Sequence, residues 1–310
     1  MKIAFMFPGQ GAQKVGMCKD IYDNFKEARE VYEKASQILG IDIADLCFNS
    51  SEEELNKTSN TQIAIVISSL AICKVLEKYG IKPDVAFGLS LGEYTSLIYS
   101  GALDFESGVK LVRKRGEIME KCSFNQEYSM AAIIGLDSKI IEETCKEIDG
   151  FVVPANYNYS AQTVISGYKD SVLKACEVLK ERGAKRAIEL NTSGPFHTEK
   201  LDDASNEFKK ELDKYEFRNT KVDVIKNLDG TVYKESDNHS EILAKHMVSP
   251  VRLDKTLSKL NEDKIDLYVE IGPGKVIGGF VKKENKEAKV INIDSKEGID
   301  TILELVKENN

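Results

Sequence analysis

The sequence predicts an α/β protein: a large domain on a mostly parallel sheet, with a small ferredoxin-like domain inserted into it. Two observations support this prediction. Short apolar runs alternate with helical patterns near both ends of the chain, which is typical of parallel sheets covered by helices. Between them the element order is β-α-β-β-α-β, the ferredoxin-like split unit. The predicted domains are residues 1–127 with 192–310, and residues 128–191.

The first element is the apolar run at 3–7, which predicts a buried strand because Pro8 and Gly9 end it at once. The large domain is expected to continue with a helix at 60–79, a strand at 84–88 and helices at 91–100 and 108–122. The 60–79 helix should end at Gly80, since glycine commonly follows a helix C-terminus.

The inserted segment is expected to contain strands at 129–136, 151–155, 163–167 and 185–190, with helices at 138–148 and 170–182. Beyond it the alternation resumes with strands at 221–227, 267–271 and 289–293 and a helix at 240–247. Apolar residues at helical spacing predict a final amphipathic helix: Ile299, Ile302, Leu303 and Val306.

Composition excludes several classes of protein. The 310 residues include 43 Lys plus Arg and 51 Asp plus Glu, a net charge of −8, which disfavours nucleic acid as the main partner. The longest apolar stretch, 63–73, is too short to span a bilayer and predicts a buried helix. The six cysteines form no C-x-x-C pair, and no secretory signal is present, so we expect a cytoplasmic protein with reduced thiols and no metal cluster.

The pentapeptide Gly88-Leu89-Ser90-Leu91-Gly92 has the pattern G-x-S-x-G between a predicted strand and a predicted helix. This is the context of the nucleophile elbow, so the large domain is expected to have an α/β-hydrolase-like core. The sharp turn would expose the Ser90 hydroxyl, and the Leu91 N–H would stabilise a developing oxyanion. The alternative is that Ser90 only caps the helix.

A serine nucleophile needs a general base, and the chain has three histidines. His239 lies in a polar run and is expected to be solvated. His197 follows Gly194-Pro195-Phe196, where the inserted domain returns to the large one, and clefts commonly form between domains. We expect His197 to be the base; His246, on the apolar side of a predicted helix, is the alternative.

Arg115 shares one side of its predicted helix with Leu111, Ile118 and Cys122. A guanidinium on an apolar face needs an anionic partner. That partner is either an internal carboxylate or the carboxylate of a substrate, which a planar guanidinium binds through two hydrogen bonds. The sequence leaves both open.

Two glycine clusters do not fit nucleotide-binding loops. Gly272-Pro273-Gly274 follows a strand, but its next glycine comes one residue too late for G-x-G-x-x-G, and Pro273 lacks an N–H. Gly9-Gln10-Gly11 lacks the third glycine. We therefore expect no nucleotide cofactor.

Jointly, these motifs resemble those of the malonyl-CoA:acyl-carrier-protein transacylases. Residues 7–13, FPGQGAQ, are similar to the glutamine-rich opening of that family, and residues 88–94 to its nucleophile elbow. Further matches follow in family order and with family-like spacing: Arg115-Gly116, Gly194-Pro195-Phe196-His197 and Glu270-Ile271-Gly272-Pro273-Gly274. The resemblance covers essentially the whole chain.

The resemblance implies roles for the matching residues. Ser90 corresponds to the acylated serine and His197 to the general base. Gln10 and the Leu91 N–H correspond to the oxyanion-hole region. Arg115 corresponds to the arginine that binds the malonyl carboxylate.

It also implies specificity residues and shows two departures. Phe196 resembles the malonyl-selective form of the family's specificity motif, in which a bulky ring excludes an α-methyl branch. Asn156 and Asn158 resemble the asparagine-bearing strand near the cleft. The family usually has His where this chain has Leu89, and Gln where it has His246. At the position of His246, the backbone carbonyl is expected to orient the catalytic histidine.

The activity that the resemblance implies is transfer of malonyl from malonyl-CoA to the phosphopantetheine thiol of acyl carrier protein. The mechanism would be ping-pong, through a malonyl-serine ester, in type II fatty acid or polyketide synthesis. No cofactor or metal is expected, nor a nucleic-acid or membrane partner, and the expected form is a monomer with a local basic patch for the acidic carrier. The alternative is a serine thioesterase or hydrolase, in which water replaces the carrier thiol; Arg115 and the inserted domain argue against it.

Overall fold

The computed structural model describes residues 1–123, 127–190 and 194–308. Within these ranges the strands form two five-stranded sheets. The predicted domain boundary between residues 191 and 192 lies outside the described residues, so the division into two domains stays a prediction.

The strands follow in chain order. They are β1 (Ile3–Phe7), β2 (Val85–Gly88), β3 (Tyr128–Ile134), β4 (Val152–Tyr159), β5 (Gln162–Tyr168), β6 (Arg186–Glu189), β7 (Asp223–Val224), β8 (Val251–Arg252), β9 (Leu267–Ile271) and β10 (Val290–Ile293).

The helices surround these strands. The helices of the first half are α1 (Lys19–Asn24), α2 (Lys26–Leu39), α3 (Ile43–Phe48), α4 (Glu52–Asn56), α5 (Thr58–Lys78), α6 (Leu91–Tyr99), α7 (Phe105–Ser123) and α8 (Ser138–Glu147). Those of the second half are α9 (Lys169–Glu181), α10 (Asp202–Leu212), α11 (His239–Met247), α12 (Leu253–Glu262), α13 (Val276–Glu284) and α14 (Lys296–Glu308), with a 3₁₀ turn at Glu199–Leu201.

The larger sheet is parallel throughout and has the order β10-β9-β1-β2-β7. All residues of its three central strands are buried, as expected of strands covered by helices on both faces. Phe7 pairs with Gly88, so β1 and β2 end at the same edge of the sheet. Ligand sites in open parallel sheets form at this carboxyl edge.

The second sheet confirms the predicted ferredoxin-like unit. Its order is β6-β3-β5-β4-β8, and its first four strands are mutually antiparallel, as in a split β-α-β-β-α-β unit. The sequence did not predict β8, which lies outside the inserted segment and pairs in parallel with β4 through Asn156 and Val251. This strand joins the small sheet to the segment that follows α11.

Helix α5 is the central helix of the core. It is long and apolar enough to cross a membrane, but 94% of its most apolar window is buried inside the molecule. It packs against α2 and α7. The predicted buried helix is therefore confirmed, and it begins two residues earlier than expected, at Thr58.

The predicted strand at 221–227 is wrong for most of its length, since only β7 is a strand there. The chain turns back directly after it: Lys226 N–H donates to the Thr231 carbonyl (2.8 Å) and Gly230 N–H to the Lys226 carbonyl (2.9 Å). The turn begins within the predicted strand because the apolar run before it is short. Helices α1 to α4, α10, α12 and α13 were not predicted either.

Candidate active site

The turn between β2 and α6 is a nucleophile elbow. Ser90 has φ 51° and ψ −95°, a strained conformation for a residue with a side chain. Strain of this kind is worth about 1–3 kcal/mol. The turn is possible because a Cβ on Gly88 would lie 2.1 Å from the Gly92 backbone, and one on Gly92 would lie 2.0 Å from the Phe7 oxygen. Both positions therefore require glycine, as the G-x-S-x-G pattern predicted.

The elbow places Ser90 against His197, which is 107 residues away in the chain. Ser90 Oγ lies 2.8 Å from His197 Nε2. His197 Nδ1 lies 3.1 Å from the carbonyl oxygen of His246. Because a carbonyl can only accept, Nδ1 carries the ring proton, and Nε2 is left as the acceptor for the serine hydroxyl. This is the tautomer that a general base requires.

His197 is kept neutral by its surroundings. Burial and the nearby Arg115 guanidinium lower its pKa to about 4, against opposing hydrogen bonds to the backbone of His246 and Ser249. At neutral pH the ring is therefore unprotonated and can accept the serine proton.

The two other histidines have different surroundings. The ring of His246 is 1% exposed and lies 4.9 Å from the His197 ring at an angle of 31°. Its backbone carbonyl makes the hydrogen bond to His197. The expectation that His239 is solvated is wrong. As the first residue of α11, it is inserted between Phe217 (5.1 Å) and Tyr233 (4.7 Å), and it is 7% exposed.

Close packing of α7 on α5 positions Arg115. A Cβ on Gly116 would lie 2.7 Å from Ser59 Cα, so glycine at this position lets the two helices approach. Arg115 Nη1 then donates to Gln62 Oε1 at 2.8 Å. The Arg115-Gly116 pair thus combines a functional side chain with the residue that brings its helix into place.

The Arg115 guanidinium is 2% exposed and lies beside Ser90. Its Nη2 donates to Ser90 Oγ at 3.3 Å, and its central carbon lies 4.9 Å above the Tyr94 ring. No carboxylate oxygen of residues 1–123, 127–190 and 194–308 lies within 4.0 Å of its nitrogens. Of the two partners that the sequence left open, no internal carboxylate in the described ranges forms an ion pair with Arg115, although the buried Glu93 is near enough for the guanidinium to oppose the rise in the pKa of its carboxyl.

Gln10 and the Leu91 N–H, the two expected oxyanion-hole groups, are connected to Ser90 in different ways. No described residue accepts a hydrogen bond from the Leu91 N–H, which starts α6 next to Ser90. Gln10 Oε1 lies 3.4 Å from Gln62 Nε2, which links Gln10 through Gln62 and Arg115 to Ser90. Gln62 was not predicted as a site residue, because it follows the four polar residues 58–61 at the start of α5 and the sequence does not distinguish it from them.

In the described part of the chain, the predicted specificity residues make no hydrogen bond to Ser90 or His197. Phe196 precedes His197 and packs into the main core. Asn156 and Asn158 lie on β4, where Asn158 Nδ2 donates to Gln162 Oε1 at 2.9 Å across the hairpin. Their roles in substrate selection stay predictions.

The Gly272-Pro273-Gly274 loop after β9 leads into a helix whose N-terminus is bonded to a carboxylate of the protein itself. The buried Glu270 carboxylate accepts hydrogen bonds from the N–H groups of Ile277 (3.1 Å) and Gly278 (2.8 Å) at the start of α13. The protein's own carboxylate thus occupies the helix N-terminus where a nucleotide phosphate would bind. In the described part of the chain, no three His, Cys, Asp or Glu residues are grouped so that they could hold a metal ion.

A serine hydroxyl bonded to a neutral, buried histidine can take an acyl group and pass it on. The fold and the site therefore fit the class of acyl-transferring enzymes. Residues 4–298 match the acyl transferase domain family. The chain belongs to this family, within the malonyl CoA-acyl carrier protein transacylases, and is an acyltransferase.

Relatives of known name cover nearly its full length. It is 39% identical to malonyl CoA-acyl carrier protein transacylase of Bacillus subtilis, over 100% of this chain and 98% of the relative. The crystal structure of malonyl CoA-acyl carrier protein transacylase from Clostridium perfringens has a TM-score of 0.96 and 42% identity, over 99% of this chain and 98% of the other. A malonyl-transacylase in complex with its type II PKS acyl-carrier protein has a TM-score of 0.95 and 33% identity, over 98% of this chain and 100% of the other.

Proposed function

We propose that this protein transfers malonyl groups from malonyl-CoA to the phosphopantetheine thiol of an acyl carrier protein. The main support is the buried Arg115 guanidinium, which lies 3.3 Å from Ser90 Oγ without a carboxylate partner among the described residues. A malonyl thioester has a carboxylate one methylene away from its reacting carbonyl. With that carbonyl at Ser90, Arg115 is within reach of the carboxylate and can bind it through two hydrogen bonds.

In the first half-reaction, Ser90 Oγ attacks the thioester carbonyl while His197 Nε2 accepts the hydroxyl proton. The Leu91 N–H and the Gln10 region stabilise the oxyanion, and each well-placed donor contributes about 3–4 kcal/mol. The tetrahedral intermediate then expels the coenzyme A thiolate, which takes the proton from His197. The product is a malonyl ester on Ser90.

In the second half-reaction, the carrier thiol replaces coenzyme A. His197 accepts its proton, sulfur attacks the malonyl-serine carbonyl, and the proton returns to Ser90 as the ester breaks. The two substrates thus use one site in turn. The solved complex of a similar malonyl-transacylase with its carrier protein supports this partner. The pathway is type II fatty acid or polyketide synthesis.

The chemistry needs no cofactor, because serine, histidine and arginine supply the nucleophile, the base and the carboxylate contact. A monomer is the proposed active form, because Ser90, His197 and Arg115 already contact one another within a single chain. The six cysteines are unpaired, which fits the cytoplasm. Phe196, beside the base, would exclude an α-methyl branch from the substrate.

Intact-mass spectrometry tests this proposal. Mixing with malonyl-CoA should add one malonyl group to the native protein and to Ser236→Ala, a control at an exposed serine. Ser90→Ala should stay unmodified. A native protein that turns over malonyl-CoA without ever gaining the malonyl mass would contradict the covalent mechanism.

The same reaction distinguishes a transferase from a thioesterase. With carrier protein present, malonyl should appear on the carrier thiol. Release of free malonate at the same rate with and without carrier would instead identify a thioesterase.

A further inference from the structure

A buried polar network lies behind the nucleophile, and the mechanism above does not use it. Asn227 follows β7, at the start of the turn that replaces the predicted strand. Its Oδ1 accepts a hydrogen bond from the Ser90 N–H at 2.7 Å. Its Nδ2 donates to the carbonyl of Gly88, also at 2.7 Å. An N–H can only donate and a carbonyl can only accept, so these two partners determine the orientation of the amide.

The backbone of Asn227 is also held by hydrogen bonds on both sides. Its own N–H donates to Glu93 Oε2 (3.1 Å), and its carbonyl accepts from the Arg252 N–H (2.7 Å). Glu93 Oε1 in turn accepts from the Tyr233 hydroxyl at 2.6 Å. Asn227, Glu93 and Tyr233 are all buried, and burial raises the pKa of Glu93 to about 7.

We propose that Asn227 is a positioning residue that holds the elbow in its reactive conformation, with Glu93 as its support. The proposal rests on the proposed function only in taking Ser90 as the nucleophile. Asn227 bridges the carbonyl before the turn and the N–H of Ser90 itself, which has φ 51°. These are the two groups that would separate if the turn relaxed to an ordinary φ.

The expected consequence is kinetic. A relaxed turn would rotate the peptide groups on both sides of Ser90. The hydroxyl would then move away from His197 Nε2, and the Leu91 N–H would turn from the position of the oxyanion. Errors of about 1 Å in such geometry reduce rates by about a hundredfold. Binding of malonyl-CoA would change little, since both polar atoms of the Asn227 side chain are already bonded to the backbone of the elbow.

An aspartate at this position separates positioning from simple packing. A neutral carboxyl can imitate the amide, because one oxygen accepts from Ser90 and the O–H donates to Gly88. An ionised carboxylate has no donor, so its oxygen and the Gly88 carbonyl oxygen would repel each other. The titratable or charged groups around the position are Glu93 on α6, Asp229 in the turn after β7, Tyr233 beyond that turn, His246 on α11 and Arg115 on α7.

The test compares native protein with Asn227→Ala, Asn227→Asp and Asn219→Asp, the last a matched control at an exposed asparagine. Two rates are measured from about pH 5 to about pH 9: labelling of Ser90 by a fluorophosphonate probe and acylation by malonyl-CoA. Dividing each variant rate by the native rate removes the contribution of His197. Circular dichroism and urea midpoints report folding.

Asn227→Ala should lower both rates by about 10- to 100-fold at every pH, with KM for malonyl-CoA within about twofold of native. Asn227→Asp should be close to native at low pH and fall by about tenfold or more as its carboxyl ionises. The Asn219→Asp ratio should stay level.

A level Asn227→Asp ratio across the pH range would overturn the proposal, as would Asn227→Ala labelling within twofold of native. If Asn227→Ala fails to fold, the Asn227→Asp profile decides. If malonyl-CoA does not acylate the native protein but the phosphonate ratios follow the expected pattern, the proposed function fails and the positioning role stands.

Discussion

Replacing Arg115 with alanine should convert a malonyl-selective enzyme into one that no longer prefers malonyl over acetyl groups. In the structure its guanidinium is buried beside Ser90 and has no carboxylate within 4.0 Å in the described ranges. Each hydrogen bond between charged groups contributes about 1.5–3 kcal/mol. Two such bonds to the malonyl carboxylate, less the 3.3 Å contact to Ser90 that they displace, leave about 3 kcal/mol.

At 1.4 kcal/mol per decade, that free energy corresponds to a loss of about a hundredfold in kcat/KM for malonyl-CoA. Acetyl-CoA has no carboxylate, so its kcat/KM should stay level or rise once the unpaired positive charge is removed. Arg115→Lys should recover only part of the malonyl rate, because an ammonium cannot form the planar two-bond contact.

The assay is kcat/KM for malonyl-CoA and acetyl-CoA with saturating carrier protein. Arg113→Ala is the matched control: it lies two residues earlier on α7, where Arg113 bonds to Asn60 (2.8 Å) and Glu117 (3.1 Å) instead of the site. The control should keep the native malonyl-to-acetyl ratio. Equal losses for both substrates in Arg115→Ala would show that Arg115 only supports the fold, and the carboxylate contact would have to be withdrawn.

Four further experiments test the general base, its protonation, the glycine at the elbow and the exclusion of an α-methyl branch. His197→Ala should lower Ser90 acylation by several orders of magnitude, whereas His246→Gln should change it little because the backbone carbonyl of His246 makes the hydrogen bond to His197. The opposite ranking in stopped-flow acylation would show that His246, not His197, is the base. Because the pKa of His197 is about 4, the native acylation rate should stay level from about pH 8 to about pH 5 and fall only below that; a tenfold loss by pH 5.5 would indicate an ordinary histidine pKa of about 6.5. Gly92→Ala places a Cβ 2.0 Å from a backbone oxygen and should destabilise by about 3 kcal/mol or more in urea unfolding, whereas Gly279→Ala, with open space around it, should be neutral or stabilising. Phe196→Ser should relax discrimination against methylmalonyl-CoA by about 10- to 200-fold in kcat/KM. An unchanged ratio of malonyl-CoA to methylmalonyl-CoA activity would show that Phe196 does not exclude the α-methyl branch.

Local patterns predicted the elements that depend on local geometry. The apolar run of β1, the long buried helix α5 and the ferredoxin-like order all follow from hydrophobic periodicity and turn residues, which act over a few positions. The prediction was wrong where a turn interrupts an apolar segment, as it does after β7. The short helices α1, α3 and α4 were missed, because helices of one or two turns give weak periodicity. The 14-residue α2 was missed although its apolar residues do recur at helical spacing.

For the site, the sequence by itself determined which residues have reactive groups: a serine in a glycine-flanked turn, three histidines and an arginine on an apolar helix face. Only the tertiary structure decided which of them meet. Ser90 bonds to His197 across 107 residues and to Asn227 across 137. The stacking that buries His239 likewise depends on rings from other segments, Phe217 and Tyr233. A residue pattern encodes side-chain chemistry and local burial, but distances between side chains far apart in sequence arise from the packing of whole helices and sheets.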